Sequence, residues 1–312
     1  MAHLSPPELA ARRAAARRRR RRRAIAGAVA LAAVAVGAGV AIAESGGGGG
    51  TNAPAPPRAA KPPQPRAAHA SPSSLASVGA AGTAEIDRLA KYGLPVYCGG
   101  THGDEVAFTF DDGPGVYTHF ALKKLTEAGE RATFFVVGKS IDAWPGWLPK
   151  ELKVAAIGDH SYHHPLLTAL SPDEVRSELG TTKQKIEQDS GQRVDLFRPP
   201  YGGLDATVDG IAKSLGLLTI MWTMDSRDSL GADWNGIIQN VEAGLHPGSI
   251  ILMHENRGQT IRALPAIFAA IAARHLQTVT IPQLVAEDPP SLAQLRAGVG
   301  GCPVRATRGN GG

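Results

Sequence analysis

Between residues 95 and 288 the chain alternates between short apolar runs and helical patterns. The runs are rich in β-branched residues, as in strands buried on both faces, and the segments between them have helical periodicity. This alternation predicts parallel strands joined by crossover helices, in a barrel or an open sheet, with functional residues at the strand ends. The predicted strands are residues 106–110, 133–137, 154–157, 194–197, 217–223, 249–253 and 278–281, and the predicted helices are residues 118–128, 171–189, 206–215, 234–244 and 262–274.

The distribution of charge argues against a nucleic-acid partner. The 312-residue chain has a formal charge of +5, but residues 1–50 contain nine arginines and two acidic residues, whereas residues 85–288 contain 18 basic and 26 acidic residues. A nucleic-acid-binding domain would carry its positive charge on the folded part. We therefore expect one acidic domain of about 200 residues with basic appendages.

Residues 24–43 form an uncharged, largely apolar run directly after seven consecutive arginines. Twenty residues are enough to cross about 30 Å of hydrocarbon, and the preceding arginines predict a cytoplasmic N-terminus with everything after Glu44 exported. Ala41-Ile42-Ala43 also resembles a cleavage site, so a single-pass membrane anchor and a cleaved signal peptide both stay open. A buried core helix is disfavoured because the run lacks amphipathic periodicity.

Composition divides the rest of the chain into segments. Residues 44–84 are rich in Gly, Pro and Ala, which predicts a disordered linker, and the Gly-rich residues 289–312 predict a frayed C-terminal tail except near Cys302. The expected organisation is a polybasic cytoplasmic segment at 1–23, an anchor or signal at 24–43, the linker, a catalytic domain at 85–288 and the tail.

Five predicted strands end in ionisable residues, beginning with Asp111-Asp112 before a Gly-Pro turn. Adjacent carboxylates repel each other unless a positive group shares them, so this pair indicates either a metal ligand beside a base or a solvated turn. The other clusters are Gly-Asp-His-Ser-Tyr-His-His-Pro at 158–165, Arg-Pro-Pro-Tyr-Gly at 198–202, Asp-Ser-Arg-Asp at 225–228 and Leu-Met-His-Glu at 252–255.

Histidines in the second cluster have the spacing of a metal site. His160 and His164 can turn their imidazoles toward one point, and with one carboxylate they would leave a coordination position open for water. Hydrogen-bonded loop histidines are the alternative interpretation. His163 competes with His164 for the role of second imidazole ligand, and the spacing alone leaves both open.

Taken together, these five motifs resemble those of the polysaccharide deacetylases, carbohydrate esterase family 4, whose catalytic unit is the NodB-homology domain. The resemblance covers residues 98–288 and rests on Thr-Phe-Asp-Asp-Gly-Pro, His-Ser-x-x-His-Pro, Arg-Pro-Pro-Tyr-Gly, Asp-Ser-x-Asp and Leu-x-His, in family order. It implies a distorted (β/α) barrel of about seven βα units with its active site at the C-terminal strand ends. The implied activity is metal-dependent removal of acetyl groups from a polysaccharide.

The resemblance also implies a role for each matching residue. Asp111 would be the catalytic base oriented by Arg198, and His254 the catalytic acid supported by Asp228. The implied ligands of one divalent ion, Zn²⁺ or Co²⁺ in preference to Mg²⁺, are Asp112, His160 and His164, and the implied substrate-binding residues are Pro199, Tyr201, Trp222 and Leu252. The physical requirements agree, because a base beside a guanidinium stays ionised and an imidazole beside a carboxylate stays protonated.

Two positions depart from the family pattern. Ser229 stands where the family commonly has Trp after the second Asp of the fourth motif, and Trp234 follows only after a short insertion, which puts one wall of the pocket in doubt. Glu255 follows His254 where relatives often have Asp. Neither departure removes a ligand, base or acid.

Three kinds of function remain open. The leading hypothesis is an exported N-deacetylase of peptidoglycan or a chitin-like glycan; its nearest rival is an O-acetyl esterase such as an acetyl-xylan esterase. A silent glycan-binding protein on the same fold is the third. The expected partners are an acetylated polysaccharide and the membrane through residues 24–43, with no nucleic acid and no protein partner implied.

Two cysteines, Cys98 and Cys302, are too few for a disulfide-rich scaffold or a zinc module with four thiolates. Export would place them in an oxidising compartment, and they flank the two ends of the predicted domain. We therefore predict a disulfide between them, with two free thiols on mobile ends as the alternative.

Overall fold

The computed structural model describes the backbone of residues 72–302 and the side chains of residues 81–302. The predicted segments at 1–23 and 24–43 and residues 44–71 of the predicted linker lie outside this range. Between residues 72 and 302, no helix is both long and apolar enough to cross a bilayer.

Strands and helices alternate along the described chain. The strands are β1 (Glu105–Gly113), β2 (Ala132–Val136), β3 (Ala155–Asp159), β4 (Leu196–Phe197), β5 (Leu218–Thr219), β6 (Met224–Asp225), β7 (Ile250–His254) and β8 (Gln277–Val279). The helices are α1 (Pro72–Ala90), α2 (Thr118–Ala128), α3 (Gly138–Ala143), α4 (Leu148–Glu151), α5 (Pro172–Ser190), α6 (Ala206–Ser214), α7 (Trp234–Gly244), α8 (Gly258–Ala273), α9 (Ile281–Glu287) and α10 (Leu292–Ala297).

All strands form one parallel sheet in the order β5-β4-β3-β2-β1-β7-β6, with β8 also paired to β1. The sheet curves into a half-barrel, as the alternation and the family resemblance predict. Because all strands are parallel, their C-terminal ends lie at one edge, where the five ionisable motifs are found. The fold therefore brings together residues that are far apart in the sequence.

Strand alternation separates two hydrophobic clusters. Phe108 and Phe110 of β1 belong to the cluster that packs the sheet against α2, α5 and α8. Ala107, directly before Phe108, belongs to a second cluster formed with α1 and α9. We call these the outer and inner faces of the sheet. Asp111, four residues after Ala107, continues the inner face.

Two predicted elements differ from the structure, and several short helices were not predicted. The predicted strand at 217–223 is divided into β5 and β6, and the backbone carbonyls of Ile220 and Met221 between them accept hydrogen bonds from Arg198. These carbonyls serve a buried guanidinium instead of a strand ladder. The predicted helix at 262–274 begins earlier, at Gly258. The short helices α3, α4, α9 and α10, each of four to seven residues, were not predicted.

Helix α1 starts at Pro72, inside the segment predicted as a linker to residue 84. The linker assignment is therefore wrong for residues 72–84. Ile86 and Leu89 are buried against α9, and Gly82 packs closely on Pro282. Glycine and serine lower the intrinsic helix propensity of this segment, so its composition did not predict a helix. Tertiary packing stabilises α1 instead.

The C-terminal tail is more ordered than its composition predicts as far as residue 302. Helix α10 has a capping box between Ser291 and Gln294, and its Leu295 is buried. Cys98 and Cys302 form a disulfide, which confirms the predicted pairing. Since the bond closes a loop of 204 residues, it reduces the entropy of the unfolded chain and holds α10 against the start of the domain.

Candidate functional site

The pair Asp111 and Asp112 lies at the end of β1, where pairing with β2 shifts register between Asp111 and Gly113. Such a bulge turns successive side chains away from simple alternation. Asp112 has a φ of 74°, a left-handed conformation that Asp tolerates better than most residues. The result is that Asp111 is buried on the inner face while Asp112 points toward the loop after β3.

The loop after β3 supplies two imidazoles. The His160 Nδ1 atom lies 2.7 Å from the carbonyl oxygen of Arg198, and because a carbonyl only accepts, Nδ1 carries the proton. The Nε2 atom of His160 therefore presents a lone pair, an arrangement common among metal-ligating histidines. His164 has a φ of 60°. The Nε2 atoms of His164 and His160 are both directed toward Oδ1 of Asp112.

The three groups meet at one point. The Oδ1 atom of Asp112 is 3.1 Å from His164 Nε2 and 3.6 Å from His160 Nε2, and the three possible ligand atoms lie within 4.8 Å of one another. Ligand bonds of about 2.0–2.2 Å around a tetrahedral ion would place neighbouring ligand atoms about 3.3 Å apart. The observed spacing fits that geometry.

The Oδ1 atom of Asp112 gives a second indication. It is buried and accepts no well-formed hydrogen bond, whereas Oδ2 accepts one from Asn256. Burial would raise the pKa of Asp112, but His164, His160 and His254 together lower it below its ordinary value. An ionised carboxylate oxygen without a hydrogen-bond donor, facing two imidazole nitrogens, suits a divalent cation.

His163, the competing histidine, lies elsewhere. Its imidazole is largely exposed and its Nδ1 atom is 2.8 Å from Glu178 Oε1. Its backbone N–H also donates to Glu178. The structure thus places His164 beside Asp112 and directs His163 to the surface.

Arg198 holds Asp111 from the inner face. Its guanidinium is fully buried and donates to Asp111 Oδ1 at 2.8 Å and to Thr109 Oγ1 at 2.6 Å. Burial lowers the pKa of Arg198, and the charge of Asp111 opposes that shift. The ring of Phe135 lies 4.2 Å from the guanidinium carbon. These contacts fix the orientation of the Asp111 carboxylate.

His254 stands beside Asp111, because the two residues are paired in register on β7 and β1. Its Nδ1 atom donates to Asp228 Oδ1 at 2.7 Å, and its backbone N–H donates to Asp228 Oδ2 at 2.7 Å. Burial alone would lower the pKa of His254, but Asp228 and Asp111 raise it above the ordinary value. The side chain therefore holds a proton near the site, with Nε2 directed away from Asp228.

We predict that Asp228→Asn reduces turnover less than His254→Ala. Thr260 and the backbone N–H of His254 both donate to Asp228 Oδ2, so an amide can preserve part of this scaffold while failing to stabilise the imidazolium. His254→Ala removes the proton donor itself, which is typically worth about 10²- to 10⁴-fold. Steady-state kcat of the two purified variants tests the order, and equal losses would contradict it.

The predicted substrate-binding residues lie on β7 or in the loops that follow β4 and β5, at the same edge of the sheet. The ring of Tyr201 is strongly exposed, and its centroid lies 4.6 Å from that of the His164 ring. The backbone of Tyr201 has a φ of 60°. Pro199 is buried just before it. Trp222 packs over Gly202, which has no room for a Cβ atom, and Leu252 lies two residues before His254 on the same strand face.

The departure in the fourth motif has a structural result. Trp234 begins α7 and stacks with Arg262 at 4.4 Å, and its backbone N–H donates to Gln259. The inserted loop before it leaves Leu230 76% exposed beside Asp228. The Trp234 contacts lie on the helical layer, so Trp234 does not restore the wall that the family pattern places after the second Asp.

Three carboxyl groups near the site, Asp159, Glu255 and Glu151, are buried, which the sequence did not predict. Asp159 ends β3 on the outer face, and burial raises its pKa well above the ordinary range. Glu255 accepts a hydrogen bond from Thr118, and burial together with the charge of Glu151 raises its pKa strongly. Glu151, on the short α4, is also fully buried. Asp159 and Glu255 lie in two of the motifs, but no sequence signal marks the burial of these acids, because it depends on which strand face and helix they occupy.

Glu151 should make the stability of the fold depend on pH. Burial raises its pKa to about 8, so the folded state keeps a proton between pH 4.5 and 8 that the unfolded chain releases. Stability is therefore full below pH 4.5 and is lost as the pH rises toward 8. We predict that the free energy of unfolding falls by roughly 2–4 kcal/mol less between pH 5 and pH 8 in Glu151→Gln than in the wild type. Urea unfolding of both proteins at pH 5 and pH 8 tests it, and parallel pH dependence would refute it.

A parallel half-barrel with an Asp/His/His cluster at its C-terminal edge is typical of hydrolases with a metal site. The sequence model of the family described as polysaccharide deacetylase matches residues 99–220. A peptidoglycan-N-acetylglucosamine deacetylase of Bacillus cereus is 31% identical over 186 residues, which are 58% of this chain and 68% of that protein. The chain belongs to the polysaccharide deacetylase family.

Two further similarities limit what the family membership means. The peptidoglycan-N-acetylglucosamine deacetylase PgdA of Listeria monocytogenes is 33% identical over 58% of this chain, but the match spans only 39% of that relative's length. A crystal structure of a carbohydrate esterase family 4 pseudoenzyme from Bacillus anthracis superimposes with a TM-score of 0.59 at 30% identity, covering 64% of this chain and 70% of that one. The fold thus occurs in proteins with and without activity. Whether a member of the family is active therefore depends on its site residues.

Proposed function

We propose that this chain is a metal-dependent hydrolase that removes N-acetyl groups from an extracellular or cell-wall polysaccharide and releases acetate. One observation carries the proposal: Asp112, His160 and His164 converge beside an Asp111–Arg198 pair and a His254–Asp228 pair at the same edge of the sheet. A catalytically silent protein would have no need for all three arrangements.

Asp112, His160 and His164 would hold the ion, and their mixture of one carboxylate and two imidazoles favours Zn²⁺ or Co²⁺ over Mg²⁺. When bound, such an ion polarises the acetyl carbonyl and increases the acidity of water at the site. His160 is prepared for this role because its Nδ1 proton is committed to the Arg198 carbonyl.

Asp111 and His254 divide the proton transfers. Arg198 donates to Asp111 Oδ1 and fixes the carboxylate in place, so Asp111 accepts the proton of the attacking water as general base. Asp228 keeps His254 protonated, so His254 donates to the leaving sugar amine as general acid. A proton acceptor on β1 and a proton donor on the neighbouring β7 are what an acid and a base require. The backbone N–H of Tyr201 would contribute to stabilising the oxyanion.

Peptidoglycan is the first substrate to test, because two of the similar proteins described above are named for it. We also propose that the domain acts outside the cytoplasm, as a single-pass membrane protein or a secreted one, on the grounds of the arginine block and apolar run at residues 12–43. The linker up to residue 71 would separate the domain from the membrane. An O-acetyl esterase is the nearest alternative, since the same groups serve an ester.

Acetate release before and after chelation tests the proposal. Purified protein should release acetate from peptidoglycan or chitin oligosaccharides, lose this activity on exhaustive chelation, and regain it with Zn²⁺ or Co²⁺. Acetylated xylan in parallel distinguishes the ester activity. Full activity after chelation would remove the metal from the proposal, and no acetate from any substrate would favour the silent protein.

A further inference from the structure

Aromatic side chains form an exposed row beside the site that none of the proposed catalytic steps uses. We call Tyr117, His119 and Phe120 the aromatic ridge. Tyr117 directly precedes α2, and the other two occupy its first turn. Phe120 is 46% exposed and Tyr117 36%, although the rings are large enough to be core residues. Exposed apolar surface of this kind usually marks a binding surface.

The rings of the ridge touch one another. The Tyr117 and Phe120 centroids are 6.4 Å apart, and those of Phe120 and His119 are 3.7 Å apart. The centroid of the His119 ring lies 6.3 Å from that of the Trp147 ring. The Nζ atom of Lys150 lies 4.0 Å from the Trp147 ring centroid, at the end of the row. The ridge is therefore a continuous surface rather than scattered apolar residues.

One end of the ridge lies beside the loop after β7, whose Asn256 contacts Asp112. Tyr117 packs against Gly258, where a Cβ atom would lie 3.2 Å from the tyrosine ring. Gly258 follows the loop of Asn256, and Asn256 donates to Asp112 Oδ2 at 3.2 Å. Because α2 begins where β1 ends, its first turn lies at the C-terminal edge of the sheet with the site.

The ridge contributes little to the fold. The buried face of α2 consists of Thr118, Ala121, Leu122 and Leu125, and neither Tyr117 nor Phe120 belongs to a hydrophobic cluster. Removing an exposed ring should therefore leave stability nearly unchanged. A role in binding accounts for the ridge better than a role in packing.

We propose that the aromatic ridge is a glycan-binding surface that holds sugar units of the polymer next to the unit at the metal site. This inference rests on the proposed function. A polysaccharide must leave the site across one of its edges. The ridge is aromatic and begins beside the loop that contacts Asp112. The C–H faces of pyranose rings pack against the negative faces of aromatic rings, which suits a neutral acetylated chain.

The test compares chain lengths. Wild type, Phe120→Ala and a control, Tyr92→Ala, are assayed on N-acetylglucosamine disaccharide and hexasaccharide, with calorimetric binding of the hexasaccharide as a second readout. Tyr92 is a similarly exposed aromatic residue outside the ridge. In Phe120→Ala, the preference for the hexasaccharide should fall by roughly 3- to 10-fold, the value of one aromatic contact. Tyr92→Ala should retain it.

Two variants separate stacking from general apolarity. Phe120→Tyr keeps the ring and should retain the length preference, whereas Phe120→Leu should lose most of it, and both should unfold at the wild-type temperature. Equal hexasaccharide affinity in wild type and Phe120→Ala would overturn the ridge proposal even if acetate is released. Weaker hexasaccharide binding in Phe120→Ala without any acetate release would support the ridge and contradict the deacetylase function.

Discussion

Replacement of Asp111 by Asn should lower kcat by about 10²- to 10⁴-fold while the protein keeps its metal. An amide cannot accept the proton of the attacking water, but its oxygen can still accept the hydrogen bond that Arg198 donates at 2.8 Å. The proposed ligands Asp112, His160 and His164 are unchanged. Metal content by elemental analysis and kcat on an N-acetylated glycan check the two halves of this expectation.

Asp112→Asn is the matched control, since it makes the same chemical change one residue away. Here the loss should appear first in metal affinity, because Asp112 Oδ1 is the atom on which both imidazoles converge. Excess Zn²⁺ should therefore restore part of the activity of Asp112→Asn and none of that of Asp111→Asn. Metal titrations in which the two variants behave alike would show that the division of roles between these neighbours is wrong.

The sequence predicted that the five motifs lie at one edge of the sheet, because parallel strands end at one edge, but it did not predict the strand order. Once β1 and β7 are recognised as neighbouring parallel strands, Asp111 and His254 must lie close together, and the register pairs them directly. The disulfide could be predicted for a different reason. Export implies an oxidising compartment, and Cys98 and Cys302 stand at the two ends of the domain.

Other features depend on tertiary contacts that no local pattern records. Helix α1 contains glycines and serines and is stabilised by burial of Ile86 and Leu89. The division between β5 and β6 follows from the hydrogen bonds that Arg198 donates to Ile220 and Met221. The buried carboxyl of Glu151 has no counterpart in any motif. Each case requires knowing which side chain occupies the space next to a given backbone.

The spacing of the histidines was the one point at which the sequence offered two answers for a single ligand. Positions three and four residues after His160 both allow convergence with it. The backbone resolves the choice, because His164 adopts a φ of 60° and turns inward, while His163 is tied to Glu178 through its ring and its backbone N–H. Mutation of the two histidines should therefore give opposite results.

His164→Ala should abolish stable metal binding and with it the deacetylation, whereas His163→Ala should retain both. Loss of one of three protein ligands leaves Asp112 and His160, too few to hold a divalent ion firmly. His163→Ala removes only a surface contact with Glu178, usually worth less than about 1 kcal/mol. Because alanine is strained at a φ of 60°, His164→Asn, which tolerates that backbone, serves as a second variant. Metal content after dialysis, together with unfolding of the metal-free proteins, separates ligand loss from misfolding; metal retained in His164→Ala and lost in His163→Ala would assign the ligand to the other histidine.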